Sequence, residues 1–361
     1  MAIPLHSLIR RNVRSVLNKL LLKLVNKKAD FSKLDRSKIN RILLVRLNYR
    51  IGNIIFMTPL IRSIEKYMPH IKIDMLVGAS FTKPIIKDMP NIQNVYDLPR
   101  ELLKSPLKLK KFVDMVNRNN YDLVISPISG SVSSNIAILL LKAPIKLGIY
   151  EENTYSPLNR FVLPQRRYTH SALQPLAIMD SFFNDTTNKQ YIEYLDIALS
   201  EDEKKSGQDM LNRVLEDNKV DKNKDTKIVG IFRDARNDKK IEDNWWIDYI
   251  KTIQKDDKDI IFIDILNPNE TKPLVDGMLF FKEKNLRVLG QFFSSLDRFI
   301  CADTGPMHLA SGSLVPVIAL FNSTNPSMYG PLGVKDKVIV INDKTIEEVA
   351  NDTLKIVRDI S

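Results

Sequence analysis

Apolar residues in the first half of the chain follow two patterns that alternate. Short continuous runs predict buried strands, and the longer stretches at 54–67, 106–119, 131–141 and 168–183 carry apolar residues at helical spacing. The predicted strands are "RILLVR", "IKIDMLV", "VYDL" and "YDLVISP". Strands that alternate with helices are typical of parallel sheets built from βαβ units. This half of the chain therefore predicts an α/β domain.

The alternation stops in the polar run "NDTTNKQ" at 184–190 and then resumes, which predicts a domain boundary. Ser200 and Glu203 have the spacing of a capping box and predict a helix that ends near Asp217. Later strands are predicted at "KIVGIF", "DIIFIDIL", "RFICAD" and "VPVIALFN", and helices at 243–254, at 270–282, after Pro306 and at 345–358. The predicted segments are 1–38, 39–185, 186–344 and 345–361. Two α/β domains of similar size predict a ligand cleft between them, beyond the carboxyl ends of the strands.

Composition narrows the class of protein. The chain has 361 residues, enough for two domains, and its single cysteine, Cys301, excludes an internal disulfide. No apolar run approaches the roughly 18 residues that a membrane-spanning helix needs, and we expect an intracellular protein. The formal net charge of +11 favours an anionic partner. Nucleic acid is the less favoured choice, because no helix-turn-helix, zinc-finger or RNA-binding signature accompanies the charge.

Part of this charge lies in residues 5–28, where apolar side chains recur at helical spacing and seven Lys or Arg residues fill much of the remainder. A basic amphipathic helix of this kind binds the surface of an anionic membrane with its apolar face down. The alternative is a helix that packs on the protein's own surface. The run from Lys104 to Lys111 either extends the same basic surface or forms a solvated loop and a helix start.

The strongest candidate site lies in residues 299–333. A buried strand ends at Asp303, a turn follows, and Pro306 stands where a helix takes its first residue. The free N–H groups and the positive dipole end of that helix predict an anion-binding site, to which Thr304 and His308 add hydrogen-bond donors. Alternatively, Asp303 and Thr304 only cap the helix, and His308 lies on the surface. The sequence has no Walker A or Gly-x-Gly-x-x-Gly motif, and its histidines lack metal-ligand spacing.

Two motifs in this segment resemble the signature of glycosyltransferase family 9, the bacterial lipopolysaccharide heptosyltransferase family. They are "DTGPMHL", which begins at Asp303, and the later Thr324-Asn325-Pro326 with Gly330-Pro331. The opening "ILLVRLNYRIGNIIFMTPLIRSI" also looks like the family's first strand, glycine turn and helix. The resemblance covers roughly residues 40–342. It implies an α/β protein with the GT-B fold, in which two Rossmann-like domains face each other across a cleft.

The same resemblance implies an activity. Family members are inverting transferases that need no metal or other cofactor and move a heptose or related sugar from a nucleotide-diphosphate sugar, typically ADP-heptose. The acceptor is a lipid-linked glycan such as the lipopolysaccharide inner core, held by the first domain, while the second domain holds the donor. A cytoplasmic protein that is peripheral on the inner membrane is therefore expected. The alternatives are a non-catalytic nucleotide-sugar-binding protein of the same fold and a GT-B transferase that uses another donor.

On the donor side, the resemblance points to Lys239 as a phosphate contact, with Lys240 as the alternative register. It points more weakly to Glu270 as the acceptor of hydrogen bonds from ribose hydroxyls. Solvated loop lysines and helix-cap chemistry by Asn267 or Asn269 are the alternatives. The rest of the predicted donor-binding set is Asp303, Thr304, Gly305, Pro306, Met307 and His308.

On the acceptor side, Gly52 is predicted to let the first turn approach the ligand closely, and Arg46 and Arg50 are candidates to receive phosphate groups. The family commonly has Gly-Asp at this turn, and that aspartate is its proposed general base. Asn53 stands here instead, and an amide cannot accept the proton of a sugar hydroxyl. Either another group serves as the base, or departure of the diphosphate does most of the work, or the chain binds nucleotide sugar without efficient transfer.

Overall fold

The computed structural model describes residues 35–102, 105–128, 132–149, 160–162, 168–182 and 190–359. The first domain holds a six-stranded parallel sheet in the order β3-β2-β1-β4-β5-β6. Its strands are β1 (Arg41–Arg46), β2 (Lys72–Val77), β3 (Ile92–Asp97), β4 (Leu123–Ser126), β5 (Ile145–Ile149) and β6 (Arg160–Val162). The apolar run of β1 is buried because strands lie on both sides of it and helices cover the sheet. The predicted parallel sheet is confirmed, and β5 and β6 extend it beyond the prediction.

The helices of this domain overlap the predicted stretches, with three differences: the stretch 54–67 is divided, a short helix at Lys83–Ile86 was not predicted, and the last helix begins at Leu176 rather than at 168. They are α1 (Ile51–Ile55), α2 (Thr58–Tyr67), α3 (Lys83–Ile86), α4 (Pro106–Asn117), α5 (Val132–Leu140) and α6 (Leu176–Phe182). The single helix predicted over 54–67 is wrong, because the chain breaks between α1 and α2. Pro59 lies in the first turn of α2, where its missing N–H costs nothing. In a continuous helix its ring would clash with the carbonyl of Ile55.

The second domain repeats the architecture with a six-stranded parallel sheet in the order β12-β11-β10-β7-β8-β9. Its strands are β7 (Lys227–Phe232), β8 (Ile260–Ile265), β9 (Leu279–Phe281), β10 (Arg298–Ala302), β11 (Val317–Phe321) and β12 (Lys337–Val340). Its helices are α7 (Glu201–Asp217), α8 (Asp243–Asp256), α9 (Leu286–Phe293), α10 (Gly305–Gly312), α11 (Pro326–Tyr329) and α12 (Ile346–Arg358). Two α/β domains are therefore present, as predicted.

The helix predicted at 270–282 is wrong, because this stretch forms turns that lead into β9. The N–H of Glu270 donates to the carbonyl of Asn267 (2.8 Å), and the Glu270 carboxylate accepts from the N–H of Asn267 (3.0 Å). Gly277 has a φ of +81°, which a right-handed helix does not allow. The helical signal came from Leu274 and Met278, which are spaced like one helical face but pack from turns against the core.

Two capping boxes fix the starts of long helices in the second domain. Ser200 accepts from the N–H of Glu203 while Glu203 accepts from the N–H of Ser200, which begins α7 where the sequence predicted it. Thr345 and Glu348 make the same exchange at the start of α12. Helix α12 then packs on α8, so the C-terminal helix completes the core of the second domain.

Residues 190–199, here called the interdomain strip, run between the domains and bond to both. Towards the first domain, the N–H groups of Ile192 and Asp196 donate to the hydroxyls of Ser63 and Thr58 (3.0 and 3.2 Å). Towards the second domain, the N–H of Ile197 donates to the carbonyl of Gly312 (2.8 Å). The strip therefore holds α2 and the end of α10 at a fixed separation.

The side chain of Arg287, on α9, is a second link between the domains. It is buried, and its guanidinium donates to both carboxylate oxygens of Glu203 (2.7 Å each). It also donates to the carbonyl of Ile85 in the first domain (2.9 Å) and to that of Ile197 in the strip (2.7 Å). Burial alone would raise the pKa of Glu203, but the hydrogen bonds from Arg287 and Ser200 outweigh it and hold this pKa at about 2.

Candidate active site

The segment that follows β10 builds a helix N-terminus at the carboxyl edge of the second sheet. Helix α10 begins at Gly305 with Pro306 in its first turn, as predicted. Thr304 precedes it in extended conformation, and its side chain caps none of the helix N–H groups. The first-turn N–H groups have no partner within the helix, and they carry the positive end of its dipole. The Thr304 hydroxyl and these N–H groups are available to an anion.

Asp303 joins three loops at this edge. One of its carboxylate oxygens accepts from the ammonium of Lys239 (2.5 Å) and from the hydroxyl of Thr324. Nearby, the amide of Asn322 donates to the carbonyl of Asp238 (3.0 Å), which ties the loop after β11 to the loop after β7. Asp303 is buried, so the pair with Lys239 offsets the cost of burying its charge.

The two candidate lysines have different surroundings. Lys239 reaches Asp303 with a side chain that is 31% exposed, so its ammonium is both anchored and open to the cleft. Lys240 points to solvent. Of the two lysines, Lys239 is therefore the one placed beside the N-terminus of α10. Its contact with a phosphate stays a prediction.

The His308 side chain is buried rather than on the surface. Its ring stacks edge-on against Phe56 of the first domain, with ring centroids 4.6 Å apart. A Cβ atom on Gly52 would lie 2.5 Å from its Cδ2 atom. Burial lowers the pKa of His308 to about 3, and its Nδ1 atom has no hydrogen-bond partner. At neutral pH it is an uncharged ring at the domain interface, and hydrogen bonding to a phosphate stays a prediction.

Phe56 contacts two histidines, and neither contact was predicted from the sequence. Its ring also meets that of His170 edge-on, at a centroid separation of 5.4 Å. The Nδ1 atom of His170 accepts from the N–H of Ala172 (3.1 Å), so its Nε2 atom carries the proton and donates to the carbonyl of Gly330 (3.0 Å). Burial lowers the pKa of His170. The Gly-Pro motif located Gly330, but no sequence pattern pointed to its partner across the interface.

The glycine at position 52 has a packing role that the sequence did not predict, and its close approach to a ligand stays a prediction. It lies within α1 rather than in a turn, and its missing side chain makes room for the ring of His308. Two more glycines bring α1 and α10 together: a Cβ on Gly305 would lie 3.2 Å from that of Ile51, and one on Gly312 would lie 3.3 Å from Ile55. The close approach is therefore between protein and protein, and it sets the carboxyl edges of the two sheets face to face.

Asn53 lies on α1 and is held by Arg46. The guanidinium of Arg46 donates to the side-chain oxygen of Asn53 (2.9 Å) and to its carbonyl (3.3 Å). Among the described residues, no carboxylate pairs with Arg46, and burial lowers its pKa to about 10. Because the Asn53 oxygen is engaged, its NH₂ group is the part that remains for a ligand. Arg46 is thus a half-buried cation at the cleft.

Two further arginines of the first domain differ in their surroundings. Arg50 is exposed just before α1, and its contact with an acceptor phosphate stays a prediction. Arg62 pairs with Glu65 and with Asp196 of the interdomain strip (3.0 Å). Its charge is neutralised by these two carboxylates, so it stabilises the domain junction.

Glu270 is also committed to contacts within the protein. One carboxylate oxygen accepts from the N–H of Asn267, and the other pairs with Arg233 (3.2 Å). Arg233 in turn contacts the carboxylates of Asp243 and Asp264 (3.2 and 3.3 Å). Burial raises the pKa of Asp264. Arg233 is therefore a hub that orders the loops after β7 and β8, and recognition of a ribose by Glu270 stays a prediction.

Some predictions concern basic residues that lie outside the described part of the chain. Others concern metal sites and membrane-spanning helices. The basic segment 5–28 and Lys104 lie outside them. Within the described ranges, no group of three or more His, Cys, Asp or Glu side chains is arranged to hold a metal ion. No helix among these residues is both long enough and apolar enough to cross a bilayer.

Comparison with known proteins places this geometry in a family. The chain is 27% identical over 308 residues to lipopolysaccharide heptosyltransferase 3 of Escherichia coli strain K12, a match that covers 78% of this chain and 82% of that protein. Its structure is similar to that of a glycosyl transferase family 9 protein from Veillonella parvula, with a TM-score of 0.68, 18% identity and coverage of 89% and 90% of the two chains.

The structure is also similar to that of E. coli heptosyltransferase WaaC with ADP, with a TM-score of 0.69, 17% identity and coverage of 88% of this chain and 99% of that one. The GT-B fold that the resemblance implied is thereby confirmed. Residues 109–357 match the family model "Glycosyltransferase family 9 (heptosyltransferase)". The chain belongs to glycosyltransferase family 9.

Proposed function

We propose that the protein transfers a heptose or a related sugar from a nucleotide-diphosphate sugar, with ADP-heptose as the first candidate, to a lipid-linked glycan such as the lipopolysaccharide inner core. Family membership supports a glycosyltransferase. The choice of sugar and acceptor rests on the relative named lipopolysaccharide heptosyltransferase 3. The choice of nucleotide rests on the similar heptosyltransferase whose structure contains ADP.

The observation that carries the proposal is the anion-binding end of α10. Its free N–H groups, the Thr304 hydroxyl and the Lys239 ammonium converge beyond the carboxyl edge of the second sheet. A diphosphate placed there would receive hydrogen bonds and positive charge from groups that are already in position. As the sugar leaves, charge develops on the diphosphate oxygen, and preorganised donors stabilise that charge. Asp303 would orient Lys239 for this contact.

The transfer step has a simple balance. The acceptor hydroxyl oxygen bonds to the anomeric carbon from the side opposite the diphosphate, the bond from that carbon to the diphosphate oxygen breaks, and its electron pair leaves with the diphosphate. The acceptor also loses a proton, which Asn53 cannot take. We propose a positioning role for Asn53 instead, which is supported by the contact of its oxygen with Arg46, since its NH₂ group is then left to donate to the acceptor. The departing diphosphate or water then receives the proton, and no metal takes part.

Binding to nucleotides is the first test. Titration calorimetry with ADP, UDP, GDP and CMP should show the tightest binding for ADP. Tighter binding of another nucleotide would assign the protein to a different donor class. The absence of binding by all four would contradict the proposed donor site, and addition of a chelator should change none of the affinities.

The second test separates a transferase from a binding protein. A carboxylate at the base position accelerates proton removal by about 10²–10⁴, so Asn53→Asp should raise the transfer rate, whereas Asn53→Ala should not. If the wild type and Asn53→Asp are both inert across a panel of donors while ADP-sugar binding persists, the protein is a nucleotide-sugar-binding module. One observation favours the binding module: residue 53 is an asparagine, whose amide cannot act as the base.

A lipid-linked acceptor lies in a membrane, and we therefore propose that the protein acts at the cytoplasmic face of the inner membrane. The seven cations of residues 5–28 and the absence of acidic residues among them support binding to anionic lipid. Removal of residues 1–30 should weaken sedimentation with anionic vesicles, and undiminished binding would contradict a role for this segment.

A further inference from the structure

Large apolar side chains are exposed on two neighbouring helices of the first domain, away from the cleft. On α5, Ile136, Leu139 and Leu140 are 43%, 56% and 40% exposed. Their spacing places them on one face of the helix, while Ala137 and Ile138 on the other face are buried in the core. Helix α5 therefore presents an apolar stripe to solvent that no described part of the chain covers.

Helix α4 continues this surface. Its Leu107 and Met115 are 71% and 41% exposed. The amide of Asn117, at the end of α4, donates to the carbonyl of Leu140 (3.2 Å) and accepts from the N–H of Lys142 (2.8 Å). The two helices are thus fixed side by side. We call their outer surface the α4–α5 face, and its apolar residues are Leu107, Met115, Ile136, Leu139 and Leu140.

The α4–α5 face is strongly basic. Asp114 is the one acidic residue on the two helices, and its charge is offset by Lys110 (2.7 Å). The exposed cations of the helices and of the residues that follow them are Lys108, Lys110, Lys111, Arg118 and Lys142. Exposed apolar side chains framed by cations match a bilayer interface, where apolar groups enter the acyl boundary and cations contact lipid phosphates.

We propose that the α4–α5 face docks on an anionic lipid bilayer. Charge argues against the other possible occupants. Residues 5–28 carry seven cations and no acid, so they would be repelled by this face. A second copy of the chain in a two-fold dimer would bring the same cations against each other. A membrane is the occupant whose charge is complementary to the cations and whose interior accepts the apolar stripe.

The position of the face fits this assignment. In a parallel sheet, the helix after each strand begins at the carboxyl edge, so α4 and α5 both start at the edge that carries Asn53. A bilayer along these helices would adjoin the mouth of the cleft. This deepens the proposed function, because a lipid-linked acceptor would enter from that bilayer. The tests below measure contact with lipid rather than sugar transfer, so the two proposals fail separately.

A site-specific probe separates docking of this face from tethering by residues 5–28. The only cysteine, Cys301, is fully buried, so an introduced cysteine reacts selectively with a nitrobenzoxadiazole label. The full-length Leu139→Cys variant, labelled in this way, should gain emission with vesicles of phosphatidylcholine and phosphatidylglycerol but not with phosphatidylcholine alone. A label at Val334→Cys, an exposed position of the second domain, is the control. Equal responses at the two positions, or none at 139, would overturn the proposal.

Charge reversal gives an independent measurement. Each Lys or Arg near an anionic bilayer strengthens binding, so Lys108→Glu, Lys111→Glu and Lys142→Glu together should weaken vesicle binding by at least about tenfold. The control reverses Lys222, Lys224 and Lys258, which are exposed on the second domain. If both triple variants bind equally, the face is not the docking surface. If Leu139→Gln and Leu140→Gln abolish a dimer of the wild type and leave vesicle binding unchanged, the occupant is a second copy and the proposal is overturned.

Discussion

At the residue scale, Lys239 and Lys240 form a natural pair of variant and control. Lys239 is anchored to Asp303 beside the helix N-terminus, whereas Lys240 points to solvent. Lys239→Ala removes the cation closest to the expected diphosphate and leaves Asp303 without its charge partner, so affinity for ADP should fall by about tenfold or more. Lys240→Ala should bind ADP as the wild type does, by calorimetry. Equal losses in the two variants would mean that the loop contributes only general positive charge.

The buried His308 ring makes stability depend on pH. Its pKa is lowered from 6.5 to about 3 in the folded protein. As pH falls through about 6.5, the imidazole therefore binds a proton in the unfolded chain but stays unprotonated in the folded chain. Stability is therefore lost as pH falls below about 6.5, by about 2 kcal/mol between pH 7 and pH 5. We expect His308→Gln to lose less stability over this interval than the wild type, measured by urea unfolding at both pH values. Parallel losses would show that the folded protein protonates this ring.

Individual residues were predicted best where a local sequence signal marks their position in the fold. Asp303 and Pro306 were located by a strand end and a helix start, both of which are local signals. The contact of His308 with Gly52 was not predictable in this way, because it joins residues from two domains that are distant in sequence. Lys239 was preferred to Lys240 only through the family resemblance, since two adjacent loop lysines are physically equivalent until the loop is folded.

At the element scale, the crossing of α1 over α10 depends on glycine. A Cβ at position 52 would lie 2.5 Å from the His308 ring, and this ring is buried and packed edge-on against Phe56. Gly52→Ala should therefore cost about 1–3 kcal/mol in unfolding free energy, as overpacked sites do. In a His308→Ala background the clash is gone, and alanine is the better helix former by about 1 kcal/mol, so the same substitution should become stabilising.

A double-mutant cycle over these two positions measures the effect directly. The coupling between Gly52→Ala and His308→Ala should exceed about 1 kcal/mol, in the sense that the two changes compensate. If the two effects are additive, position 52 requires glycine for another reason, for instance the backbone conformation of α1.

The same scale shows why some elements were mispredicted. Apolar spacing reports which residues are buried, and Leu274 and Met278 are partly buried as their spacing indicates, but from turns. The backbone conformation there is set by the side-chain hydrogen bond of Glu270 and by the left-handed conformation of Gly277. Neither feature can be read from the spacing of apolar residues. Capping boxes, in contrast, are local and specific, which is why α7 begins where Ser200 predicts it.

At the scale of the whole molecule, Arg287 connects both domains and should control their joint stability. It is buried and paired with Glu203, and it reaches the carbonyl of Ile85 across the interface. Arg287→Met leaves a carboxylate without its partner and should lower the unfolding free energy by about 3–5 kcal/mol. Arg213→Met, at an exposed position on α7, is the control and should stay within about 0.5 kcal/mol of the wild type.

The pH dependence of this variant gives a second readout. The pKa of Glu203 is lowered from 4.5 to about 2, so its contribution to stability is present above pH 4.5 and is lost as pH falls towards 2. The difference between the wild type and Arg287→Met, measured by urea unfolding, should therefore narrow over that interval. A difference that is constant with pH would assign the effect to packing rather than to charge.

The interdomain strip also determines where chimeras between this chain and its relatives can be joined. Its N–H groups donate to Ser63 and Thr58 in the first domain and, through Ile197, to Gly312 in the second. If the junction lies before Tyr191, the strip stays with the second domain. The α2 helix of the foreign first domain must then carry hydroxyls at the positions of Thr58 and Ser63. A junction placed after Leu199 keeps those hydroxyl contacts, and the foreign second domain then has to supply backbone carbonyls, which every residue has, and an arginine at position 287 to bind the strip. Recombination for new donor specificity should therefore place its crossover after the strip.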